Sequence, residues 1–379
     1  MTTVKCISPI DGSVYAERET LSTEAAQDAV ARARKAQKAW AARPLQERVD
    51  LVMGALKEIE NSTDRMTEEL AHQMGRPVRY VGEFGGLQER TSHMAKIAAE
   101  ALAPTVIEDS ASFTRKIMRE PHGVVFVVAP WNYPYMTANN TIAPALIAGN
   151  TVILKHAAQT ILVGEHLADA YRAAGVPEDV FQNVVLDHDT TGKLIADNEF
   201  DFINFTGSVG GGQAMERAAA GTFTGVATEL GGKDPAYVRA DANLDAAVDG
   251  VMDGAMFNAG QCCCGIERIY VHESLYDAFV EKAVVWVNNL NLGNPLDEAT
   301  TLGPMANVRF ANEVRAQIDE ALADGAKAHI EKMPADDNGA YLTPQILTNV
   351  THEMRVMRDE SFGPVVGIMP VKDDEEAIE

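Results

Sequence analysis

Cysteine is scarce in this sequence: four in 379 residues, three of them adjacent at 262–264. So few cannot make the disulfide framework of a small secreted domain, and a reducing, cytoplasmic location is expected. Long apolar runs are missing as well. No stretch reaches the ~20 residues that a bilayer-crossing helix needs. The N-terminal "MTTVKCISPIDG" has neither the basic region nor the apolar region of a secretory signal. Basic charge is in short supply: 32 lysines and arginines stand against 55 aspartates and glutamates, a formal net charge of −23. An acidic surface of that size repels phosphate backbones and anionic lipid, so neither nucleic acid nor membrane is expected as a partner. Solubility is the simplest meaning of the charge. No repeat and no low-complexity segment is found.

What is present suits a large globular protein. Nearly half the residues, 46%, are hydrophobic, and the length exceeds one ordinary core, so two or three domains are expected. The first hundred residues read as helical. Val49, Val52, Met53, Leu56 and Ile59 recur at helical spacing after Pro44, and Met66, Leu70 and Met74 do so between a candidate cap, Thr63, and a stop, Gly75. These stripes are core packing. The segment 110–121, "SASFTRKIMREP", alternates in polarity with no helix beside it, as an edge or protruding hairpin does. From about residue 122 the texture changes. "GVVFVVAP", "TVILK", "FQNVV", "DFINF" and "VATEL" are short apolar runs separated by helix-length segments. That alternation predicts βαβ units in a mostly parallel sheet with both faces covered. A second α/β stretch begins near Gly232, with "GIERIYVH" strand-like and a helix pattern after it.

Ligands of such sheets bind beyond the carboxyl ends of the strands. Pro130-Trp131-Asn132, Lys155, Thr206-Gly207-Ser208 and Glu229 all fall at predicted strand ends. The glycine-rich stretch "FTGSVGGG" (205–212) follows a strand and opens a helix, where free N–H groups suit a pyrophosphate. It is not the G-x-G-x-x-G fingerprint, and a capped turn without a ligand reads equally well. Glu229 fits a turn residue or a general base; Asn132 fits a turn cap or an oxyanion donor. In "GQCCCG" (260–265) the three thiols suggest a metal, a disulfide, a small buried turn or a nucleophile. On an extended chain neighbouring side chains point to opposite faces, so three adjacent thiols would not close one tetrahedron, and no metal is expected. Strain argues against a disulfide between neighbours. The bracketing glycines and the polar "FNAGQ" leave a buried turn and a reactive thiol both open.

Together these stretches resemble the aldehyde dehydrogenase superfamily of the NAD(P)-dependent, non-acylating type. The matches run in family order: "APWNYP" (129–134), "IAPALIAGNTVILK" (142–155), "FTGSVGGG", "ELGGKDP" (229–235), "FNAGQCCCGIER" (257–268) and "DESFGPVV" (359–366). The resemblance implies an α/β fold: a Rossmann-type parallel-sheet cofactor domain (1–103 and 122–231), a small β oligomerisation arm (104–121) and a second α/β catalytic domain (232–379). It implies Cys263 as nucleophile, with Cys262 and Cys264 facing other ways as packing residues, Glu229 as general base and Asn132 as oxyanion donor. It places the dinucleotide against Trp131, Lys155, Gly207, Ser208, Gly212, Leu230, Gly231, Glu360 and Phe362. The implied reaction oxidises an aldehyde to a carboxylic acid through a Cys thiohemiacetal and a thioester that water hydrolyses. A CoA-acylating enzyme and an inactive dinucleotide-binding fragment are the alternatives; the base Glu229 favours hydrolysis.

Three departures stand out. Ala158 occupies the position where an acidic residue often grips the adenosine ribose, so NADP is expected to be tolerated or preferred alongside NAD. His156 replaces a usual proline without a reading from sequence. The family pattern also implies further residues beyond "VKDDEEAIE", completing the catalytic domain and a strand for a partner subunit, so the chain reads as a fragment, a truncated record or a short member. The resemblance implies a homodimer or homotetramer for the full-length protein. It does not identify the aldehyde.

Overall fold

Consecutive valines and isoleucines, which pack well on a pleated surface, build the centre of the main sheet. The computed structural model describes residues 2–81, 83–337 and 339–379. Two paired strands, β1 (Thr3–Ile7) and β2 (Val14–Glu19), precede helices Thr23–Ala41, Leu45–Glu60, Thr63–Met74 and Phe84–Ala101. The second of these starts directly after Pro44 and buries Val49, Val52, Leu56 and Ile59 of the stripe read from sequence, while Met53 is half-buried. Thr63, expected as a cap, is instead the first helical residue. Its hydroxyl donates to the Glu60 carbonyl at 2.9 Å, whereas a capping oxygen accepts from first-turn N–H groups. Gly75 ends that helix at φ +82°. Strands β3 (Thr105–Asp109) and β4 (Thr114–Ile117) form an antiparallel hairpin that starts before the segment 110–121 in which one was expected, only β4 falling inside it, and they leave Val106, Ile107, Phe113 and Ile117 exposed.

The main sheet contains β5 (Val124–Val128), β6 (Thr151–Lys155), β7 (Phe181–Asn183), β8 (Phe202–Thr206) and β9 (Gly225–Glu229), in the order β7-β6-β5-β8-β9. Every pairing is parallel. All of β5 is buried, and so are the first four residues of β6, as strands covered on both faces must be. β9, at the edge, is half-exposed. The order reverses between β5 and β8, so this boundary is the switch point where ligands of open α/β sheets bind. Phe126, Ile153, Phe200 and Ile203 anchor one core on this sheet.

A second sheet contains β10 (Asp234–Val238), β11 (Ile266–His272), β12 (Lys327–Ala328), β13 (Gln345–Thr348) and β14 (Val365–Val371), in the order β10-β11-β14-β13-β12. Only β12 is antiparallel to its neighbour. The α/β class with parallel sheets is the one expected.

The chain divides into two compact units: Met1–Cys6, Ala16–Met66 and Val81–Leu230 in the first, and Ile7–Tyr15, Thr67–Tyr80 and Gly231–Glu379 in the second. The early segment 67–80 belongs with the later residues for visible reasons. The Arg76 guanidinium donates to Asn258 Oδ1 at 3.1 Å, and the Val78 N–H donates to the Pro295 carbonyl at 2.8 Å.

Candidate active site

In the first unit the parallel register sets the strand ends level: Val128 lies opposite Lys155 and Phe205, and Thr206 lies opposite Glu229. The chain leaving β5 passes through Trp131, half-buried, and Asn132, which is buried, and enters helix Pro134–Ile147 with proline at its first position. Lys155 ends β6; burial pulls its ammonium below the usual lysine range, opposed by the Asp187 charge. Ala158 opens a short 3-10 turn and is exposed.

His156 now has an account. It is buried, with Nε2 3.2 Å from the Pro134 carbonyl and Nδ1 3.2 Å from the Thr160 hydroxyl. Burial pulls its pKa down to about 4, so the ring is neutral near pH 7. A carbonyl only accepts, so Nε2 carries the proton and Nδ1 accepts from Thr160. The imidazole thereby ties the end of β6 to the start of the helix that follows Asn132.

The glycine-rich loop follows β8. Ser208 caps helix Val209–Ala219, its Oγ accepting from Gly211 N–H at 3.2 Å. Gly207 N–H donates to the Glu229 carbonyl at 3.0 Å, which joins the loop to the end of β9. A Cβ on Gly212 would press on Leu230 at 2.8 Å, and one on Gly207 or Gly211 would meet the Phe205 ring. These glycines let three elements pack closely at a helix N-terminus. Glu229 itself is exposed.

In the second unit the cysteines lie on a turn between the Phe257–Gly260 segment and β11. Asn258, Ala259 and Gly260 all take left-handed backbone, with φ +55°, +55° and +67°. The amides of "FNAGQ" hold that bend. Gln261 Nε2 donates to the Asn258 carbonyl at 3.0 Å, and Asn258 Nδ2 returns to the Gln261 carbonyl at 3.2 Å. Ala306 N–H donates to Gln261 Oε1 at 2.8 Å. Gly260 must be glycine, because a Cβ there would run into the Gly363 backbone.

The expectation that Cys262 and Cys264 face away from Cys263 is not met. Gly265 N–H donates to the Cys262 carbonyl at 3.0 Å, which makes the stretch a turn rather than an extended chain. All three sulfurs therefore lie within 4.8 Å of one another, with Cys262 and Cys264 only 3.4 Å apart. The buried-turn reading fails too, since Cys263 and Cys264 are exposed. A hydrogen bond from the Cys262 side chain pulls the Cys263 pKa below that of an ordinary thiol, against an opposing effect of burial. That is the electronic condition of a nucleophilic thiol.

Glu360 also lies in this unit. Its Oε1 accepts from Gly232 N–H at 3.2 Å, and a Cβ on Gly231 would collide with its carboxylate. Burial raises its pKa, and the neighbouring Glu267 charge adds to the rise. Phe362 sits at φ +52°, a left-handed backbone that a phenylalanine adopts at a cost.

Comparison with known proteins shows the family. The model of the aldehyde dehydrogenase family matches residues 1–379. The chain belongs to the aldehyde dehydrogenase family. A 4,4'-diapolycopene aldehyde oxidase from Methylomonas sp. is 33% identical over 100% of this chain and 71% of its own length. An NAD-dependent aldehyde dehydrogenase from Sinorhizobium meliloti superposes with TM-score 0.94 at 33% identity, covering 100% of this chain and 76% of that one. An NADP-dependent glyceraldehyde-3-phosphate dehydrogenase from Bacillus halodurans C-125, solved with NADP, superposes with TM-score 0.92 at 33% identity, covering 100% of this chain and 79% of that one.

Family membership makes aldehyde oxidation the activity and a small aldehyde the substrate. The cofactor is a nicotinamide dinucleotide, NAD or NADP, and one feature of the first unit suits it. The helix that opens after Ser208 offers the free N–H groups of its first turn, which suit a pyrophosphate. The Gly231–Gly232 backbone yields the space that the Glu360 carboxylate fills.

Sequence reading missed the residue that shapes the Glu360 turn. Glu267 is buried, and its two oxygens accept from Ser361 N–H at 2.7 Å and Phe362 N–H at 2.9 Å. Lys233 Nζ donates to Glu267 at 2.6 Å and to the Ser361 hydroxyl at 2.9 Å. Gln317 accepts from that hydroxyl at 2.6 Å and donates to the Glu360 carbonyl at 3.2 Å. The available signal was a glutamate near the start of a strand, in "GIERIYVH", with Arg268 directly after it.

Proposed function

We propose that this protein oxidises an aldehyde to a free carboxylic acid, with Cys263 as the covalent nucleophile. The observation that carries the reading is the exposed Cys263 thiol, acidified by its neighbour, on a turn built by the family's G-Q-x-C motif. The thiolate attacks the aldehyde carbon, and Asn132 donates its side-chain N–H to the oxyanion that forms, as does the Cys263 backbone N–H. Bound NAD or NADP supplies the hydride acceptor. The sulfur then holds the acyl group as a thioester. Glu229 takes a proton from water, the water adds to the thioester, and the Cys263 thiolate leaves with the acid released. Hydrolysis rather than transfer to coenzyme A is the reading because the chain keeps a carboxylate at the base position.

For the dinucleotide we assign Trp131, Lys155, Gly207, Ser208, Gly212 and Leu230 in the first unit, and Gly231, Glu360 and Phe362 in the second. The first unit is then the cofactor domain and the second the catalytic domain. Lys155 and the turn at Ala158 face the adenosine ribose; with no carboxylate at Ala158, NADP is accepted at least as well as NAD. Introducing Ala158→Glu shifts preference toward NAD, and NAD kinetics already better than NADP kinetics would count against the assignment.

The exposed hairpin β3–β4 is assigned as the oligomerisation arm, in a homodimer or homotetramer. The decisive experiment for the reaction is a panel of aldehydes with both dinucleotides, with acid and acyl-CoA measured separately. Acyl-CoA without free acid, in the presence of coenzyme A, would reverse the choice of hydrolysis.

A further inference from the structure

The three sulfurs of Cys262, Cys263 and Cys264 make a cluster that the oxidation reaction uses only in part. They lie within 4.8 Å of one another, with Cys262 and Cys264 at 3.4 Å. An ion held by three thiolates at about 2.3 Å needs sulfurs roughly 4 Å apart, so a closure of less than about 1 Å brings even the farthest pair to that spacing. The backbone beneath them is already fixed. Cys262 N–H donates to the Gly260 carbonyl at 3.0 Å, and Gly265 N–H donates to the Cys262 carbonyl at 3.0 Å. Gly260 is packed against the Gly363 backbone, and Gln261 is tied to Ala306. The thiols are reachable from solvent, Cys262 being half-buried and the other two exposed. The Asp234 carboxylate is close enough to act electrostatically on Cys264, which adds negative charge beside the cluster. Among the described residues no other group of three cysteines, histidines or carboxylates shares this spacing.

We propose that Cys262, Cys263 and Cys264 form a three-thiolate site for a thiophilic d10 divalent cation of the Zn2+ type, and that its occupancy silences the enzyme. Three thiolates are the soft donor set such ions take, with a water completing the tetrahedron. Each thiol gives its proton to solvent and a lone pair to the ion. No electron is transferred, so the step is reversed by protons or a chelator. While the Cys263 lone pair is on the metal it cannot attack a carbonyl. The silencing half of the proposal rests on Cys263 being the nucleophile; the binding half does not.

The test is a titration of the reduced, metal-free full chain with Cd2+, followed by thiolate-to-metal charge-transfer absorption without aldehyde or dinucleotide. The expected result is saturation at one ion per chain with the amplitude of three thiolates, displacement by Zn2+, and tighter binding as pH rises. The Cys262→Ser/Cys264→Ser double variant should bind ~100-fold more weakly, with a one-thiolate amplitude. Should that variant be insoluble, either single variant serves, with a two-thiolate amplitude expected. Unchanged affinity in these variants, or a one-thiolate amplitude in the parent, would overturn the site. Zn2+ that fills the site should stop aldehyde oxidation, and EDTA should restore it. A filled site with undiminished oxidation would overturn the silencing alone. Loss of oxidation in Cys263→Ser tests the nucleophile separately.

Discussion

At the scale of single residues, the proposed chemistry turns on how Cys263 is kept reactive. Its thiol is acidified chiefly by a hydrogen bond from Cys262. A thiolate nucleophile loses activity as pH falls through its pKa, so the acid limb of kcat/KM should lie below that of an ordinary thiol. Cys262→Ala removes the hydrogen bond and should move that limb to higher pH, while Cys264→Ala should not raise it. A pH–rate profile of the three proteins checks this. Asn132→Ala should lower kcat about 10²–10³-fold with KM for the aldehyde little changed.

His156 makes a second residue-scale prediction, about stability. Its pKa is pulled from 6.5 to about 4 by burial. Between those values the unfolded chain binds a proton that the folded chain does not. The stabilising effect of the neutral ring is therefore whole above pH 6.5 and is lost as pH falls toward 4, by up to roughly 3 kcal/mol. Urea unfolding at pH 7 and pH 5 should show this fall in the parent and a smaller one in His156→Asn. Sequence could not supply this account. Nothing in "LKHAAQT" shows that the ring reaches back to the carbonyl of Pro134, twenty-two residues earlier.

At the scale of elements, the site is held by turns whose geometry no motif states. The Glu360–Phe362 turn is organised by the Glu267 carboxylate and the Lys233 ammonium, with side chains only 4% and 9% exposed. Removing one partner of a buried ion pair commonly costs ~3–5 kcal/mol. Glu267→Ala should lower stability by that order and raise KM for the dinucleotide more than it lowers kcat. Glu267→Asp should recover part of the KM loss, which a purely structural role would not require. Initial-rate kinetics with varied dinucleotide, beside urea melts, separate the two effects.

The elements that were legible were those with one strong period. β5 and β6 are runs dominated by β-branched residues, and the early helices carry clear apolar stripes. β12 has only two residues, while β10 and β14 each contain a proline, at 235 and 370, which disguises a strand. The cysteine turn was misread because the extended-chain argument assumed a backbone that left-handed Asn258, Ala259 and Gly260 do not lead into. The motif chose Cys263, but only the fold shows that its neighbours share its space.

At the scale of the whole molecule, the two units each carry a parallel sheet of their own. No helix among the described residues is long and apolar enough to cross a membrane. The hairpin exposes Val106, Ile107, Phe113 and Ile117 together, more apolar surface than so small an element leaves to water without reason. If it is the oligomerisation arm, Ile107→Asp/Phe113→Asp should shift the light-scattering mass of the protein toward the monomer without changing its circular dichroism.

The central claim is that an acyl group is carried on Cys263 and released by water that Glu229 activates. Intact-protein and peptide mass spectrometry of Glu229→Gln, quenched after one turnover with aldehyde and dinucleotide, tests it most directly. The account predicts one acyl increment per chain, mapped to Cys263 and accumulating faster than it hydrolyses. An increment mapped to Cys262 or Cys264, or an acid product formed at the parent rate with no adduct, would contradict it.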